Sequence, residues 1–239
     1  MKARGGKSIY GASVGILMLD ARFPRIPGDM GNAVTWPFPV LYRVVRGASP
    51  DRVVRQGAEG TLDAFIDAAR GLVADGATGI TTNCGFLSLF QAELAAAVEV
   101  PVLTSSLMQV PMVNALLPSD KRAGVLTISG SNLTPAHLQA AGVPDGTPIG
   151  TTEGGQEFTR AILGNEEELD VDLARADNVA AALQLQAAHS ELGAIVLECT
   201  NMCPYAADIQ RATGLPTYSM VDFVSWFQAG LSPLRYPLV

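Results

Sequence analysis

The chain has 239 residues and a mass of 25.0 kDa, and because 48% of it is hydrophobic and only 16% is charged, its composition excludes an intrinsically disordered protein. A net charge of −7, without a cluster of lysine and arginine, also argues against nucleic acid as a partner. Three cysteines are too few for a disulfide framework and are typical of the reducing cytoplasm, so we expect three free thiols.

The first half of the chain alternates predicted strands and helices. In order we predict a strand at Val14–Leu19, an irregular segment at 20–40, a helix at 61–74, a strand at 78–83, a helix at 87–98 and a strand at 100–103. Cys84 follows directly after the second of these strands. Residues 100–119 are uncharged and long enough to cross a bilayer, but Pro101, Pro111 and Pro118 interrupt them, so we expect no membrane span.

The second half repeats this order of elements. We predict a strand at 123–128, a helix at 178–191, a strand at 195–198, a helix at 205–212 and a closing strand at 215–218. Cys199 follows the strand at 195–198, as Cys84 follows its own strand. Both cysteines also precede a proline, Pro101 or Pro216, by 17 positions. The chain therefore contains a distant internal repeat with one cysteine at the same place in each copy.

Strands that alternate with helices indicate an α/β fold built from right-handed βαβ units. We predict two similar doubly wound lobes with parallel sheets, related by a pseudo-twofold axis. Residues 1–107 and 217–239 form the first lobe, and residues 108–216 form the second. Because ligands bind at the carboxyl ends of parallel strands, we expect the active site in the cleft between the lobes, with Cys84 and Cys199 facing each other.

The place of these two cysteines favours a chemical role over a purely structural one. Each lies where a strand ends and a helix begins, so backbone N–H groups there favour a thiolate or an anionic substrate. Asn83, Thr200 and Asn201 are polar neighbours that could hydrogen-bond either group. Cys203 has no counterpart in the first half, and we expect it to be structural.

The chain resembles the aspartate/glutamate racemase superfamily, which also contains hydantoin racemases, arylmalonate decarboxylases and maleate cis-trans isomerases. The resemblance rests most on residues 82–86, Thr-Asn-Cys-Gly-Phe, and residues 198–201, Glu-Cys-Thr-Asn. Amino-acid racemases typically have Cys-Asn-Thr at the first site, and glycine in place of Glu198 at the second. The identity of the substrate therefore stays open.

The resemblance implies a cofactor-independent racemase or epimerase of amino-acid metabolism, acting on a small carboxylate substrate such as aspartate, glutamate or a derivative. One of Cys84 and Cys199, as a thiolate, would remove the α-proton, and the other, as a thiol, would reprotonate the opposite face. Two alternatives stay open. One is a maleate-type cis-trans isomerase in which Cys84 is a nucleophile, and the other is a two-lobed binding protein without catalysis.

Further residues are candidates for substrate binding. Arg25, in the irregular segment near Arg22, could pair with a carboxylate through its guanidinium group, and Asp20 could orient a thiol or an ammonium group. Hydroxyl groups after the strand at 123–128 suit a carboxylate, as does the Ser/Thr-rich loop of the superfamily. The complete set of predicted substrate-binding residues is Asn83, Gly85, Thr200, Asn201, Thr127, Ser129, Ser131, Arg25 and Asp20.

The remaining expectations concern cofactors, partners and location. The chain has two histidines and no Cys-x-x-Cys spacing, so we predict no metal site, and the resemblance implies no other cofactor. We expect a small-molecule carboxylate as the substrate, no nucleic-acid or membrane partner, a possible homodimer and a cytoplasmic location.

Overall fold

The computed structural model describes residues 2–236 and contains two four-stranded parallel sheets. The first sheet consists of β1 (Val14–Leu19), β2 (Val40–Val45), β3 (Gly79–Thr82) and β4 (Val102–Leu103), in the order β2-β1-β3-β4. The second consists of β5 (Arg122–Thr127), β6 (Ile149–Thr151), β7 (Leu192–Leu197) and β8 (Thr217–Tyr218), in the order β6-β5-β7-β8. The two sheets have the same strand order, so the repeat in the sequence is also a repeat in the fold.

Helices flank these sheets, as parallel strands require. They are α1 (Pro50–Val54), α2 (Leu62–Asp75), α3 (Gln91–Ala97), α4 (Val110–Leu116), α5 (Pro135–Ala140), α6 (Phe158–Gly164), α7 (Val171–Ala188), α8 (Ala206–Thr213) and α9 (Met220–Leu231). All six residues of β1 are buried, because both faces of a central parallel strand are covered. The predicted α/β class with two parallel-sheet lobes is confirmed.

The sequence prediction lacked the edge strands β6 and β2, of which β2 is the longer. Its residues pair in parallel with β1, from Val14 beside Val40 to Leu19 beside Val45. It is an edge strand, and five of its six residues are only partly buried or exposed. Tyr42 and Arg43 interrupt the apolar run that marks a buried parallel strand, so the pattern in this segment is weak.

The end of the second lobe also differs slightly from the prediction. Strand β8 pairs with β7, so Thr217 and Tyr218 belong to the second sheet and not to the first lobe. The chain then returns to the first lobe, where Phe227 and Leu231 of α9 pack against Gly79 of β3. Residues 1 and 237–239, which were assigned to the first lobe, lie outside the described residues.

Both cysteines precede a short 3-10 helix that continues into an α-helix. Residues Gly85–Phe90 lead into α3, and residues Thr200–Tyr205 lead into α8. The two turns meet between the lobes, where Thr200 Oγ1 donates a hydrogen bond of 2.6 Å to the carbonyl oxygen of Asn83. Across residues 2–236, no helix combines the length and apolar character needed to span a membrane.

Candidate active site

Cys84 and Cys199 line one narrow cavity between the two sheets. Their side chains are buried, with 8% and 7% of each residue exposed. The other lining residues are mostly apolar or aromatic: Leu19, Phe23, Pro50, Val54, Phe86, Ile128, Ile162 and Leu163, together with Asn83, Gly85, Glu198 and Asn201. The cavity is small, so side chains must shift to admit a substrate. The predicted convergence of two distant cysteines on one site is thus present in the structure.

Glu198 places a fully buried carboxyl group at this cavity. It follows β7 directly, and its Oε2 accepts a hydrogen bond of 2.7 Å from Thr127 Oγ1. Its other oxygen, Oε1, is buried and has no hydrogen-bond partner among residues 2–236. Burial raises the pKa of Glu198 to about 7, against the lowering effect of the Thr127 hydroxyl and the backbone of Ile128.

The two thiols are neutral in the unliganded site. Burial and the nearby charge of Glu198 raise the pKa of Cys84 to about 12, although the backbone of Phe86 and Leu87 and the charge of Arg25 act in the opposite direction. The pKa of Cys199 also lies well above its ordinary value, because of burial and then of Glu198. Thiolate formation therefore needs a change in the surroundings of the sulfur, such as a bound substrate.

A chain of hydrogen bonds holds Cys199 as a thiol. Arg25 Nη1 donates to Asp29 Oδ1 at 2.8 Å, and Asn201 Nδ2 donates to Asp29 Oδ2 at 2.5 Å. The contact with Asp29 fixes the orientation of the Asn201 amide. Its Oδ1, which can only accept a hydrogen bond, then faces Cys199 Sγ at 3.6 Å. Cys199 is thus the donor of this pair, whereas Cys84 has no such acceptor beside it among the described residues.

Four of the predicted substrate-binding residues lie at or directly behind the cavity. Asn83, Gly85 and Asn201 line it. Thr127 supports Glu198 from behind. Arg25 does not line the closed cavity, but its guanidinium carbon lies 4.7 Å from the ring centroid of Phe23, which does, and its Nη2 is buried without a partner among the described residues.

Four other predicted residues have different partners. Thr200 bonds across the lobes to Asn83, as described above. Ser129 and Ser131 donate hydrogen bonds to Glu153 Oε1, at 2.6 and 2.5 Å. This loop therefore binds the carboxylate of Glu153, and not that of a substrate. Asp20 accepts hydrogen bonds from Arg46 Nη1 at 3.0 Å and from the backbone N–H of Gly47 at 3.1 Å. Side chains that are already paired locally do not extend into the cavity.

Sequence reasoning missed the contributions of Glu198, Asp29 and Phe23 to the site. Glu198 had a signal, because it stands where the superfamily has glycine, but only the structure reveals that its carboxyl group is buried. Asp29 and Phe23 lie in the irregular segment, where no periodic pattern indicates which side chains turn inward. No group of three or more metal-ligating side chains occurs among residues 2–236.

The buried carboxyl group of Glu198 predicts an effect of pH on stability. A folded-state pKa of about 7, above the ordinary value of 4.5, means that the folded chain binds more protons between these limits, so its stability falls as pH rises through them. Relative to Glu198→Gln, the wild-type chain should lose up to roughly 3 kcal/mol of unfolding free energy over this range. Urea unfolding of both chains at pH values below and above the range measures the difference, and a constant difference would contradict the prediction.

The comparisons with curated proteins point to one group of enzymes. The chain is 30% identical over 237 residues to a dimethylsulfoniopropionate lyase of Durusdinium sp. clade D, covering 93% of this chain and 76% of that protein. It is 28% identical to dimethylsulfoniopropionate lyase 7 of Emiliania huxleyi, covering 92% of this chain and 67% of the relative. No protein-family profile matches the chain.

Solved structures with the same fold are racemases and decarboxylases. A liganded double mutant of arylmalonate decarboxylase superposes with a TM-score of 0.63 at 15% identity, covering 95% of this chain and 96% of that one. Allantoin racemase from Klebsiella pneumoniae gives 0.60 at 17% identity, with the same coverage, 95% and 96%. Aspartate racemase from Picrophilus torridus gives 0.58 at 12% identity, again over 95% and 96%. The predicted resemblance to the racemase superfamily is confirmed for the fold.

The prediction of an amino-acid racemase is wrong. The relatives that match almost the whole chain are lyases, which cleave their substrate, and they support neither an isomerase nor a binding protein without catalysis. The error has a physical reason, because two cysteines in a cleft serve proton transfer in either kind of reaction. The chain is an enzyme that has the fold of the aspartate/glutamate/hydantoin racemase superfamily and belongs to the dimethylsulfoniopropionate lyase family.

Proposed function

We propose that this chain cleaves dimethylsulfoniopropionate into dimethyl sulfide and acrylate, with a cysteine as the base. The observation that carries the proposal is that Cys84 and Cys199 lie on one small, mostly apolar cavity in a chain whose curated relatives are lyases for this substrate. An apolar cavity excludes water. Interactions between the substrate's charges and the charged groups of the site are therefore stronger there than in water.

The reaction is an elimination that needs one base. The thiolate removes a proton from the carbon beside the carboxylate, and the electron pair of that C–H bond becomes the second bond of the carbon–carbon double bond. The carbon–sulfur bond of the sulfonium group breaks, and its electron pair leaves with dimethyl sulfide. The thiol then returns its proton to solvent, so that the products are dimethyl sulfide, acrylate and one proton.

We assign the base to Cys84 and a thiol role to Cys199. The backbone of Phe86 and Leu87 and then the charge of Arg25 favour negative charge on Cys84. The backbone of Asn201 has the same effect on Cys199, but the side-chain oxygen of Asn201 accepts a hydrogen bond from the Cys199 thiol and favours its neutral form. Both assignments require free thiols, and Cys84 and Cys199 are free in the structure.

Arg25 is the candidate partner for the substrate carboxylate. Its buried Nη2 supplies a free donor next to the cavity, and its planar guanidinium group cannot be replaced by an ammonium group without losing paired hydrogen bonds. Arg25→Lys should therefore lower kcat/KM for dimethylsulfoniopropionate by about tenfold or more, the effect of losing one charge-assisted hydrogen bond.

The matched control for this change is Arg22→Lys. Arg22 pairs with Glu167 at the surface, where both side chains are 67% exposed, so its replacement should change kcat/KM by less than about twofold. Steady-state kinetics on both variants compares them directly. Equal losses from the two variants would remove Arg25 from the site.

The proposed function is tested by incubating the purified chain with dimethylsulfoniopropionate. Gas chromatography measures dimethyl sulfide, and liquid chromatography measures acrylate in the same sample. We expect both products in equal amounts, at a rate proportional to the concentration of the chain. If neither product forms above the rate of a buffer control, the proposal fails.

A further inference from the structure

The Glu198 carboxylate is buried, and one of its oxygens has no hydrogen-bond or ionic partner among residues 2–236. No part of its residue is exposed, and one oxygen, Oε1, has no donor within the described residues. A buried carboxylate oxygen without a partner costs free energy, and such a group in a native protein commonly marks a ligand site. Its Oε2 is held by Thr127, and the residue lines the cavity together with Gly85, so the carboxyl group is positioned at the site.

The surroundings of Glu198 offer no cation that would compete with a ligand. Gly85 lies directly against the carboxyl group, and a β-carbon at this position would overlap Oε1. No arginine, lysine or histidine within residues 2–236 forms a salt bridge with Glu198. Phe86 lines the same cavity, and aromatic faces attract methylated cations, whereas the ring of Phe23 already contacts the Arg25 guanidinium group.

We propose that Glu198 binds the positively charged group of the substrate, so that this site selects small carboxylates that also carry a sulfonium or quaternary ammonium group. The inference rests on the proposed function for the identity of the substrate, and it adds the residue that recognises the cationic end. Arg25 and Glu198 then give the site opposite charges for the two ends of a zwitterion.

This assignment also explains how a substrate activates the base. The negative charge of Glu198 raises the pKa of both Cys84 and Cys199 in the empty site. A bound onium group neutralises that charge and places a cation near the sulfur atoms, and both changes favour a thiolate. Thiolate formation is thereby coupled to the binding of a cationic substrate.

Calorimetric titration with an unreactive pair of ligands tests the proposal. One ligand is β-alanine betaine, which carries a trimethylammonium group, and the other is its carbon isostere, which has the same carboxylate and an uncharged tert-butyl group. At about pH 8, above the pKa of Glu198, the wild-type chain should bind the betaine about 30-fold or more tightly than the isostere, the lower end of the range for one partner of a buried charge pair.

Glu198→Gln should lose this preference, because glutamine keeps an acceptor oxygen for Thr127 and a similar volume but carries no charge. Arg22→Lys, at the exposed Arg22–Glu167 pair far from this carboxyl group in the chain, should retain it. A preference that survives in Glu198→Gln overturns the assignment. If that variant does not fold, the wild-type chain still decides, because equal binding of the two ligands overturns the assignment as well.

The binding experiment and the test of the lyase reaction can fail independently of each other. Release of dimethyl sulfide with no preference for the betaine would leave the lyase reaction standing and remove Glu198 from recognition. A strong preference that depends on Glu198, without release of dimethyl sulfide, would support the binding assignment and remove the proposed reaction.

Discussion

Replacing Cys84 by serine should lower kcat/KM for the cleavage of dimethylsulfoniopropionate by about 10²- to 10⁴-fold, the usual contribution of a general base. Serine has nearly the same shape, but its hydroxyl group is a far weaker acid than a thiol and forms no useful amount of alkoxide. The folded structure should change little, because Cys84 is a small buried side chain that makes no disulfide. Product release measured by gas chromatography gives the rate.

The other two cysteines are the matched controls. Cys199→Ser keeps a donor for Asn201 Oδ1, so it should lose less activity than Cys84→Ser, by about tenfold at most if only its hydrogen bond matters. Cys203→Ser should change kcat/KM by less than about threefold, since Cys203 packs with Met30 and Trp36 and does not line the cavity, and changes in core packing act mainly on stability. The reverse order, with the larger loss at Cys199, would place the base on the second lobe.

A single base distinguishes the lyase from a racemase in this experiment. Inversion at a carbon needs one group to remove a proton and another to return it on the opposite face, so both cysteines would be equally necessary. Elimination returns no proton to that carbon, and the second cysteine can remain a thiol. The different surroundings of Cys84 and Cys199, one near Arg25 and the other bonded to Asn201, are consistent with this unequal use.

Much of the fold could be predicted because the strong sequence patterns belong to buried elements. Strand β1 is apolar throughout and was predicted with its actual limits, and both cysteines lie where their strands end. Strand β2 was missed because an edge strand is half exposed and its pattern is correspondingly mixed. Local periodicity reports burial, and it is weakest where burial is partial.

The site was predicted less completely, because its side chains converge through tertiary packing. Matched positions in the repeat were enough to bring Cys84 and Cys199 together, since the carboxyl ends of equivalent strands face one cleft. The same reasoning placed Ser129 and Ser131 at the site, but it could not anticipate that Glu153 would take up their hydrogen bonds. Asp29 escaped notice because it lies in an irregular segment and because one of its two partners, Asn201, is 172 residues away along the chain.

Replacing Gly85 by alanine should reduce both activity and stability. The added β-carbon would lie 2.5 Å from the carbonyl oxygen of Glu198 and would overlap its Oε1, and the carbonyl group cannot move away without shifting the end of the buried strand β7. We expect a loss of about 1–3 kcal/mol of unfolding free energy, as for other overpacked sites, and a fall in kcat/KM of about 100-fold as Glu198 is displaced from the cavity.

Gly230→Ala in α9 is the matched control for this steric argument. Within residues 2–236, no atom outside the backbone of its own helix lies within 4 Å of a β-carbon at that position, so the helix should gain up to about 1 kcal/mol and the kinetics should stay unchanged. Urea unfolding and steady-state kinetics on the two alanine variants separate a general cost of replacing glycine from a specific collision with Glu198. A Gly85→Ala chain with wild-type activity would mean that the carboxyl group can move without consequence, and its position beside the two thiols would then have no part in the reaction.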